Sequence, residues 1–307
     1  MTAPFQSIVA HLRGDRMIDE AYIGSQVEAH ARAGHAEAAQ LMAAICAVGY
    51  GRARDWREAL GWLAEAAERG NDLARGQLRL LANAGEEGSD WRALAASVDV
   101  AAWTAPRAGR VVNECPYIAM VEDFLDPPLC AWLIARAAPL QKRSQVYHPV
   151  TGKAVEADAR TNTTATFQIV DLDLPLVLIR ERIANTIGVS AAHFERTSVF
   201  RYLPGQEFSS HVDFLSPSPQ LDAEIREKGQ RPWTFLVYLN DGFEAGETHF
   251  LDIDKKFRGR TGEALYFRNV DETGAPDQLT THAGAPPTSG EKWLLSQFIR
   301  DKPQLPG

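Results

Sequence analysis

The sequence predicts an α+β fold, in which an N-terminal α-helical repeat module precedes a β-rich domain that is supported by helices. One observation is compositional: residues 17–97 are rich in Ala, Leu, Glu and Arg and almost free of Pro, which is typical of packed helices. Another is that, beyond Ser144, short runs of β-branched or aromatic residues alternate with Gly, Pro, Asn and Asp. Many short strands of this kind favour a β-sandwich or a barrel.

The helical module contains a self-similarity with a period in the thirties. The run that begins at Gly34 (GHAEA) recurs 36 residues later as the run that begins at Gly70 (GNDLA). Such a period, with Gly between helices, is typical of a helix-turn-helix solenoid. Residues 38–70 resemble the short solenoid repeats that are related to tetratricopeptide repeats. An Ala-rich helical hairpin without such a relationship is the alternative interpretation.

A linker separates the module from a second domain. Residues 104–116 contain Pro106, Gly109 and Pro116, so we expect the helical module to span residues 1–103 and the second domain to span residues 117–307. The second domain should begin with a strand over residues 117–125 and a helix over 129–138, which follows a helix-start signal at Asp126.

Further elements of the second domain follow from the same patterns. We expect a supporting helix at 176–187. The predicted strands cover residues 161–169, 198–202, 234–239, 248–251, 264–267 and 293–299.

Charge and composition exclude several classes of protein. The chain has 307 residues and a net charge of −8, which argues against binding to nucleic acid phosphates. No apolar run is long enough to span a membrane, and the first residues lack the apolar core of a signal peptide, so we expect no membrane partner and a cytoplasmic protein. The three cysteines, Cys46, Cys115 and Cys130, predict small core residues and no disulfide framework.

Two separated stretches carry the residues that suggest chemistry. His211 and Asp213 are two positions apart, so an extended strand would direct both side chains to the same side. His282 begins a turn that is rich in Gly and Pro, and Lys292 follows ten residues later at the start of an apolar run. Two His and one carboxylate form the facial triad of non-haem Fe(II) oxygenases, which leaves coordination positions open for a cosubstrate and O₂.

The sequence from about residue 117 to residue 301 resembles the prolyl 4-hydroxylase branch of the 2-oxoglutarate/Fe(II) dioxygenases. The matching segments are Arg160-Thr161-Asn162, Arg201-Tyr202, His211-x-Asp213, RPWTFLVYLN from Arg231, Gly246-Glu247-Thr248-x-Phe250, Gly262-x-Ala264-Leu265-x-Phe267, His282-x-Gly284 and Ser289-Gly290-Glu291-Lys292-Trp293. The resemblance implies a double-stranded β-helix, or jelly roll, with a metal at its open mouth.

The resemblance also implies a role for each matching residue. The iron ligands would be His211, Asp213 and His282. The catalytic Lys292 would form an ion pair with the C5 carboxylate of 2-oxoglutarate, and the same carboxylate would accept hydrogen bonds from Tyr202 and Thr248. Arg231 would lie on the substrate side. The alternatives are a solvated strand-edge Lys292, a Thr248 that merely favours strands, and a Tyr202 in the core. Ala245 and Asn162 depart from the usual family pattern, at positions where a second Gly and a Ser are common.

The implied activity is hydroxylation coupled to oxidative decarboxylation of 2-oxoglutarate to succinate and CO₂. The implied cofactors and cosubstrates are Fe(II), 2-oxoglutarate and O₂, with ascorbate as a further candidate. The expected substrate is a prolyl residue of a protein or peptide, which the helical repeats would recruit as a protein partner. One alternative is a hydroxylase of a free amino acid or other small molecule, whose repeats serve dimerisation or support. A non-catalytic interaction protein is another.

Overall fold

The computed structural model describes residues 3–14, 19–85, 90–147, 154–219 and 221–304. The described residues form two compact units. Among the described residues, unit 1 contains the chain up to Pro106 together with Phe167–Gly188, and unit 2 contains Arg107–Thr166 together with residues 189–304. Within this described part, the chain returns to unit 1 once, between two strands of unit 2.

Unit 1 is helical throughout its main body. Its helices are α1 (Phe5–Leu12), α2 (Glu20–Arg32), α3 (Ala36–Val48), α4 (Trp56–Glu68), α5 (Asp72–Leu81), α6 (Trp91–Ser97), α7 (Val100–Thr104) and α9 (Leu174–Ile187). Helix α3 is buried along most of its length and consists largely of Ala, which allows its neighbours α2 and α4 to approach closely. None of the described helices is both long and apolar enough to cross a membrane.

Two helix pairs of unit 1 are spaced by the same interval as the sequence similarity. Helices α2 and α4 start 36 residues apart, and so do α3 and α5. Asp19 and Asp55 occupy equivalent positions, because each carboxylate accepts a hydrogen bond from the first turn of its helix. Gly34 and Gly70 both adopt a positive φ between the helices of their pair. The 36-residue period is thus present in the local structure of the chain.

The helix expected at 176–187 forms as α9, and it belongs to unit 1. It packs against α3, α5 and α7. The backbone N–H of Leu174 donates to Gln77 Oε1 at 2.9 Å, and Arg182 Nε donates to the Trp103 carbonyl at 2.9 Å. An apolar face predicts that a helix is packed, but it does not reveal which apolar surface it packs against.

The described part of unit 2 contains the strands and two α-helices. The helices are α8 (Pro127–Ala137) and α10 (Asp222–Lys228). The strands are β1 (Arg110–Asn113), β2 (Ile118–Val121), β3 (Lys142–Arg143), β4 (Val146–Tyr147), β5 (Ala154–Val155), β6 (Thr163–Thr166), β7 (Ser198–Tyr202), β8 (Phe208–His211), β9 (Trp233–Tyr238), β10 (Glu244–Ala245), β11 (Thr248–Phe250), β12 (Lys255–Phe257), β13 (Ala264–Arg268), β14 (His282–Gly284), β15 (Pro287–Ser289) and β16 (Lys292–Ile299).

Antiparallel pairing organises these strands into two main sheets. Among the described residues, the larger sheet has eight strands in the order β1-β2-β13-β9-β16-β7-β6-β3, and the smaller sheet has four in the order β12-β11-β14-β8. Side chains of both sheets meet in one apolar core, where Phe250 of the smaller sheet contacts Phe267 of the larger sheet with ring centroids 5.0 Å apart. Two antiparallel sheets around one core are consistent with the jelly roll that the sequence predicts.

Three details differ from the sequence-based expectations. Part of the expected linker, Arg110–Asn113, is the edge strand β1, which pairs with β2. The strand expected over 161–169 ends at Thr166, since the chain leaves unit 2 at that point. Cys115 is exposed, whereas Cys46 and Cys130 are buried as expected.

Candidate active site

The smaller sheet brings together the two His and the Asp of the predicted triad. His211 ends β8, His282 begins β14, and the pairing of these strands places the two residues opposite each other. His211 Nε2 lies 3.5 Å from Asp213 Oδ1, and His282 Nε2 lies 3.6 Å from Asp213 Oδ2. All three candidate ligand atoms lie within 4.8 Å of one another. The arrangement converges on a single point, as a metal centre requires.

The backbone fixes the tautomer of both imidazoles. The Nδ1–H of His211 donates to the Ser209 carbonyl at 2.8 Å, and that of His282 donates to the Thr280 carbonyl at 2.9 Å. In each case the acceptor is two residues earlier in the chain. The Nε2 lone pairs therefore point toward Asp213 and are free to coordinate a metal ion.

The electrostatics of the site favour the protonation states that metal binding needs. Burial, together with the nearby His211, lowers the pKa of His282 to about 4, so this imidazole is neutral at physiological pH. Burial by itself would raise the pKa of Asp213, but the two imidazoles and a hydrogen bond from Thr234 hold that pKa well below its usual value. A carboxylate and two imidazoles that converge on one point are the ligand set of non-haem Fe(II), and the residues present fit that ion.

A cavity extends from the triad into the space between the sheets. Its lining comprises Phe200, Tyr202, Phe208, His211, Asp213, Leu236, Thr248, His282, Gly284, Lys292, Leu294, Ser296 and Phe298. Strand β16 supplies every second residue from Lys292 to Phe298, because alternate side chains of a strand face the same side. The cavity is thus a mostly apolar pocket with a metal-binding end and a single buried ammonium group.

Lys292 is fully buried in this cavity. Its Nζ donates to the Gly246 carbonyl at 2.7 Å, and it forms no ion pair with any residue in the described part of the chain. The ammonium group lies 5.1 Å from the centre of the Tyr202 ring and 5.7 Å from that of Tyr238. Burial lowers the pKa of Lys292 to about 7. An anionic ligand would supply the missing countercharge.

Tyr202 and Thr248, the two hydroxyl-bearing residues predicted to bind 2-oxoglutarate, line the cavity together with Lys292. Tyr202 pairs directly with Lys292 across β7 and β16, and burial raises its pKa to about 12, so the phenol stays protonated. Thr248 Oγ1 lies 3.1 Å from the hydroxyl of Tyr238, which donates to the Phe257 carbonyl. His249, the neighbour of Thr248, contacts the Asp254 carboxylate instead. Tyr202 and Thr248 therefore line the cavity that contains Lys292.

Arg231 is placed differently from the other predicted site residues. Its guanidinium donates to both carboxylate oxygens of Glu195, at 2.6 and 2.9 Å, and lies over the Phe298 ring. It also donates to the backbone carbonyl of Asp213 at 3.3 Å. Arg231 is outside the described cavity lining and contacts the triad through the Asp213 backbone.

The sequence did not reveal several groups around the triad. Thr234 Oγ1 donates to Asp213 Oδ2 at 2.8 Å, and Asn269 Nδ2 donates to Thr234 Oγ1 at 2.9 Å. The ring of Phe208 stacks on His211 with centroids 3.5 Å apart. Ser296 Oγ is buried in the cavity wall without a hydrogen-bond partner in the described structure. Strand alternation from Lys292 could have indicated Ser296, but Asn269 follows a strand end and carried no signal.

Several known proteins resemble the chain. A family described as the 2OG-Fe(II) oxygenase superfamily matches residues 197–300. Prolyl 4-hydroxylase 1 of Arabidopsis thaliana is 34% identical over 206 residues, which cover 62% of this chain and 71% of the relative. Prolyl 4-hydroxylase 13 of the same plant is 30% identical over 204 residues, which cover 61% of this chain and 72% of the relative.

A solved structure is also similar. The viral collagen prolyl hydroxylase from Paramecium Bursaria Chlorella virus-1, in its 2OG complex, has 26% sequence identity and a TM-score of 0.47. The match covers 62% of this chain and 98% of the viral one. On the identity and coverage of its plant relatives, which agree with the geometry of the triad, this chain belongs to the prolyl 4-hydroxylase-like family of 2OG-Fe(II) oxygenases.

Proposed function

We propose that the protein hydroxylates prolyl residues of a peptide or protein, with Fe(II), 2-oxoglutarate and O₂. The observation that carries this proposal is the joint placement of the triad and the unpaired Lys292 in one cavity. A metal centre and a buried cation suit a dicarboxylate that chelates the metal at one end and meets the ammonium group at the other. The names of the plant relatives support a prolyl substrate.

Each group in the cavity has a defined task in this reaction. Fe(II), when bound by His211, Asp213 and His282, would supply the activation of O₂ that an organic side chain cannot supply. Lys292 would bind the distal carboxylate of 2-oxoglutarate through an ion pair, and Tyr202 and Thr248 would donate hydrogen bonds to the same carboxylate. The apolar walls, such as Leu236 and Leu294, would exclude water from the reacting centre.

We also propose roles for parts of the protein outside the cavity. Unit 1 would hold the protein substrate, since stacked helical hairpins with a regular period provide extended binding surfaces. The 36-residue spacing of its helix pairs supports a relationship to solenoid repeats. Ascorbate would serve as an auxiliary reductant that keeps iron in its ferrous form.

The test is an activity assay of the full chain with Fe(II), 2-oxoglutarate and air. Proline-containing peptides and free L-proline are supplied separately, and succinate is measured together with the mass of the amino acid or peptide. We expect peptide-dependent succinate formation and a mass gain of one oxygen atom on proline. Asp213→Ala should abolish both signals because the triad loses its only carboxylate. Oxygen addition to free proline, and none to peptides, would instead indicate a small-molecule hydroxylase.

A further inference from the structure

We propose that Thr234 and Asn269 form a hydrogen-bond relay that orients the Asp213 carboxylate, so that Asp213 offers Oδ1 to the metal. The two residues would be positioning residues, since neither is itself a candidate ligand. The inference rests on the metal site of the proposed function and extends it to residues that do not contact substrate.

The relay connects three separate parts of unit 2. Asp213 follows β8, Thr234 lies in β9, and Asn269 comes directly after β13. Thr234 Oγ1 donates to Asp213 Oδ2 at 2.8 Å, and Asn269 Nδ2 donates to Thr234 Oγ1 at 2.9 Å. Thr234 and Asn269 are both fully buried. Water therefore cannot easily replace either hydrogen bond, and loss of one leaves a buried polar group unsatisfied.

The chemistry of the donors gives the relay a direction. An amide nitrogen of Asn can only donate, so the Thr234 oxygen accepts from Asn269, and the single Thr234 proton remains available for Asp213. Asn269 is itself held by the backbone, because its N–H donates to the Pro232 carbonyl at 2.9 Å and its carbonyl accepts from the Asp277 N–H at 3.0 Å. The relay thus begins at Asn269, whose backbone is held by two hydrogen bonds, and ends at the carboxylate of Asp213.

The relay bears on only one of the two carboxylate oxygens. Oδ2 accepts the proton of Thr234 and also lies 3.6 Å from His282 Nε2. Oδ1 lies 3.5 Å from His211 Nε2 and accepts no hydroxyl proton from the described residues, so it keeps both lone pairs for a metal ion. Hydrogen bonds to carboxylates are charge-assisted and are stronger than those between neutral groups. Loss of an outer hydrogen-bond partner typically weakens metal binding by about 10–100-fold.

The experiment measures the affinity of the full chain for Mn(II), a redox-stable substitute for Fe(II), by electron paramagnetic resonance. Thr234→Val removes the hydroxyl and keeps the shape, and Thr234→Ser restores the hydroxyl. Thr197→Val is the matched control, because Thr197 is a buried threonine whose hydroxyl donates to Gln297 Oε1. We expect Thr234→Val to raise the Mn(II) Kd about 10–100-fold, while Thr234→Ser and Thr197→Val stay within about threefold of the wild type.

Asn269→Ala tests the second step and keeps the proposal falsifiable if Thr234→Val fails to fold. It should weaken Mn(II) binding less than Thr234→Val does, and the double variant should bind no more weakly than Thr234→Val alone, because both changes interrupt one relay. The absorption spectrum of the Co(II)-substituted protein should change in Thr234→Val and remain unchanged in Thr197→Val.

Two negative results have different meanings. If the folded Thr234→Val or Asn269→Ala variants bind Mn(II) as tightly as the wild type, the relay does not position Asp213. If the wild type itself binds no Mn(II), the metal site of the proposed function is wrong, and the relay falls with it.

Discussion

At the scale of single residues, the proposed function depends on a cation that is buried without an ion pair among the described residues. Lys292 is fully buried and has the Gly246 carbonyl as its hydrogen-bond partner. Burial of such a cation costs desolvation free energy in the ligand-free protein, and a bound anion offsets part of that cost. Affinity for 2-oxoglutarate should therefore be concentrated in this residue.

Lys292→Ala should weaken the binding of 2-oxoglutarate by about 2 kcal/mol or more, which is roughly 30-fold in Kd. The distal carboxylate would then enter an apolar cavity without its partner. Lys292→Arg should recover part of the affinity, because it keeps the charge with a different geometry. The exposed strand residue Lys256 provides the control. Calorimetric titration of the metal-loaded protein would give each Kd, and an unchanged Kd in Lys292→Ala would place the carboxylate elsewhere.

The affinity for 2-oxoglutarate should also depend on pH. The pKa of Lys292 is lowered to about 7, so the free protein loses the ammonium charge as the pH rises above that value. A bound dicarboxylate favours the charged form, so binding above pH 7 must take up a proton, and the affinity should fall by up to about tenfold per pH unit. At a pH below this pKa, Lys292 is already charged in the ligand-free protein, so its protonation does not make the affinity for 2-oxoglutarate depend on pH.

Calorimetry in buffers of different ionisation enthalpy measures this proton uptake directly. We expect close to one proton at one pH unit above the pKa, and almost none at one unit below it. Lys292→Arg should abolish the uptake, because an arginine stays charged throughout this range. Equal proton uptake in the wild type and in Lys292→Arg would assign the titration to another group.

Part of the site could be predicted from the sequence, and part could not. The i, i+2 spacing of His211 and Asp213 is a weak signal by itself, and Asp213 lies beyond the end of β8, where strand alternation no longer applies. The resemblance to the 2-oxoglutarate/Fe(II) dioxygenases is what singles out these two residues together with His282. The contact of Arg231 with Glu195 joins residues 36 positions apart, and no local pattern reveals such a partner. Asn269 contributes through one long-range hydrogen bond, which is likewise invisible in the sequence.

At the scale of elements, the turn before β16 positions Lys292. Gly290 has a φ of +72°, and a Cβ at this position would lie 2.2 Å from the Gly242 carbonyl oxygen. Only glycine fits there, both because of the left-handed backbone and because of the close neighbour. This turn therefore determines where the strand that carries Lys292 begins.

Gly290→Ala should destabilise the protein by more than the strain of a left-handed alanine alone, which is about 1–2 kcal/mol. Gly205→Ala is the matched control, since Gly205 has a φ of +78° but nothing within 4 Å of the added Cβ. Urea unfolding gives the free energy of unfolding of each variant. Equal losses in the two variants would show that the turn relaxes and that the contact with Gly242 is unimportant.

The strands were more predictable than the helix that interrupts them. Strands such as β7, β9 and β13 follow from β-branched and aromatic runs between turn residues, with bounds shifted by about one residue. The periodicity of α9 predicts a helix equally well, yet its partners in unit 1 lie far away in sequence. Elements that consist of two or three residues, such as β10, are too short for any sequence pattern.

At the scale of the whole molecule, unit 1 is built from two separate parts of the chain. Helix α9 buries most of its residues, including Leu176, Val177 and Ile183, and it packs against α3, α5 and α7. Removal of the N-terminal helices would therefore leave an apolar helix without its partners.

A chain that begins at Thr104 should therefore aggregate or unfold at a lower temperature than the full chain. Size-exclusion chromatography and thermal unfolding test this expectation. The informative control is the full chain with Arg54→Ala, which removes the ion pair with Glu181 on α9 and the contact of the guanidinium with the Trp56 ring, and which should cost about 1 kcal/mol or less. A monomeric truncated chain with the thermal stability of the full chain would show that α9 needs no partner from unit 1.

We expect the triad and Lys292 to support hydroxylation of prolyl residues with oxygen from O₂ and electrons from 2-oxoglutarate. Isotope labelling provides the test: the full chain reacts with Fe(II), 2-oxoglutarate and a proline-containing peptide under ¹⁸O₂, and mass spectrometry follows both products. One ¹⁸O atom should appear in the hydroxylated prolyl residue and one in succinate, in equal amounts, and neither should appear with Asp213→Ala. Hydroxyl oxygen that derives from water, or succinate that forms without any modified prolyl residue, would show that the proposed reaction is wrong.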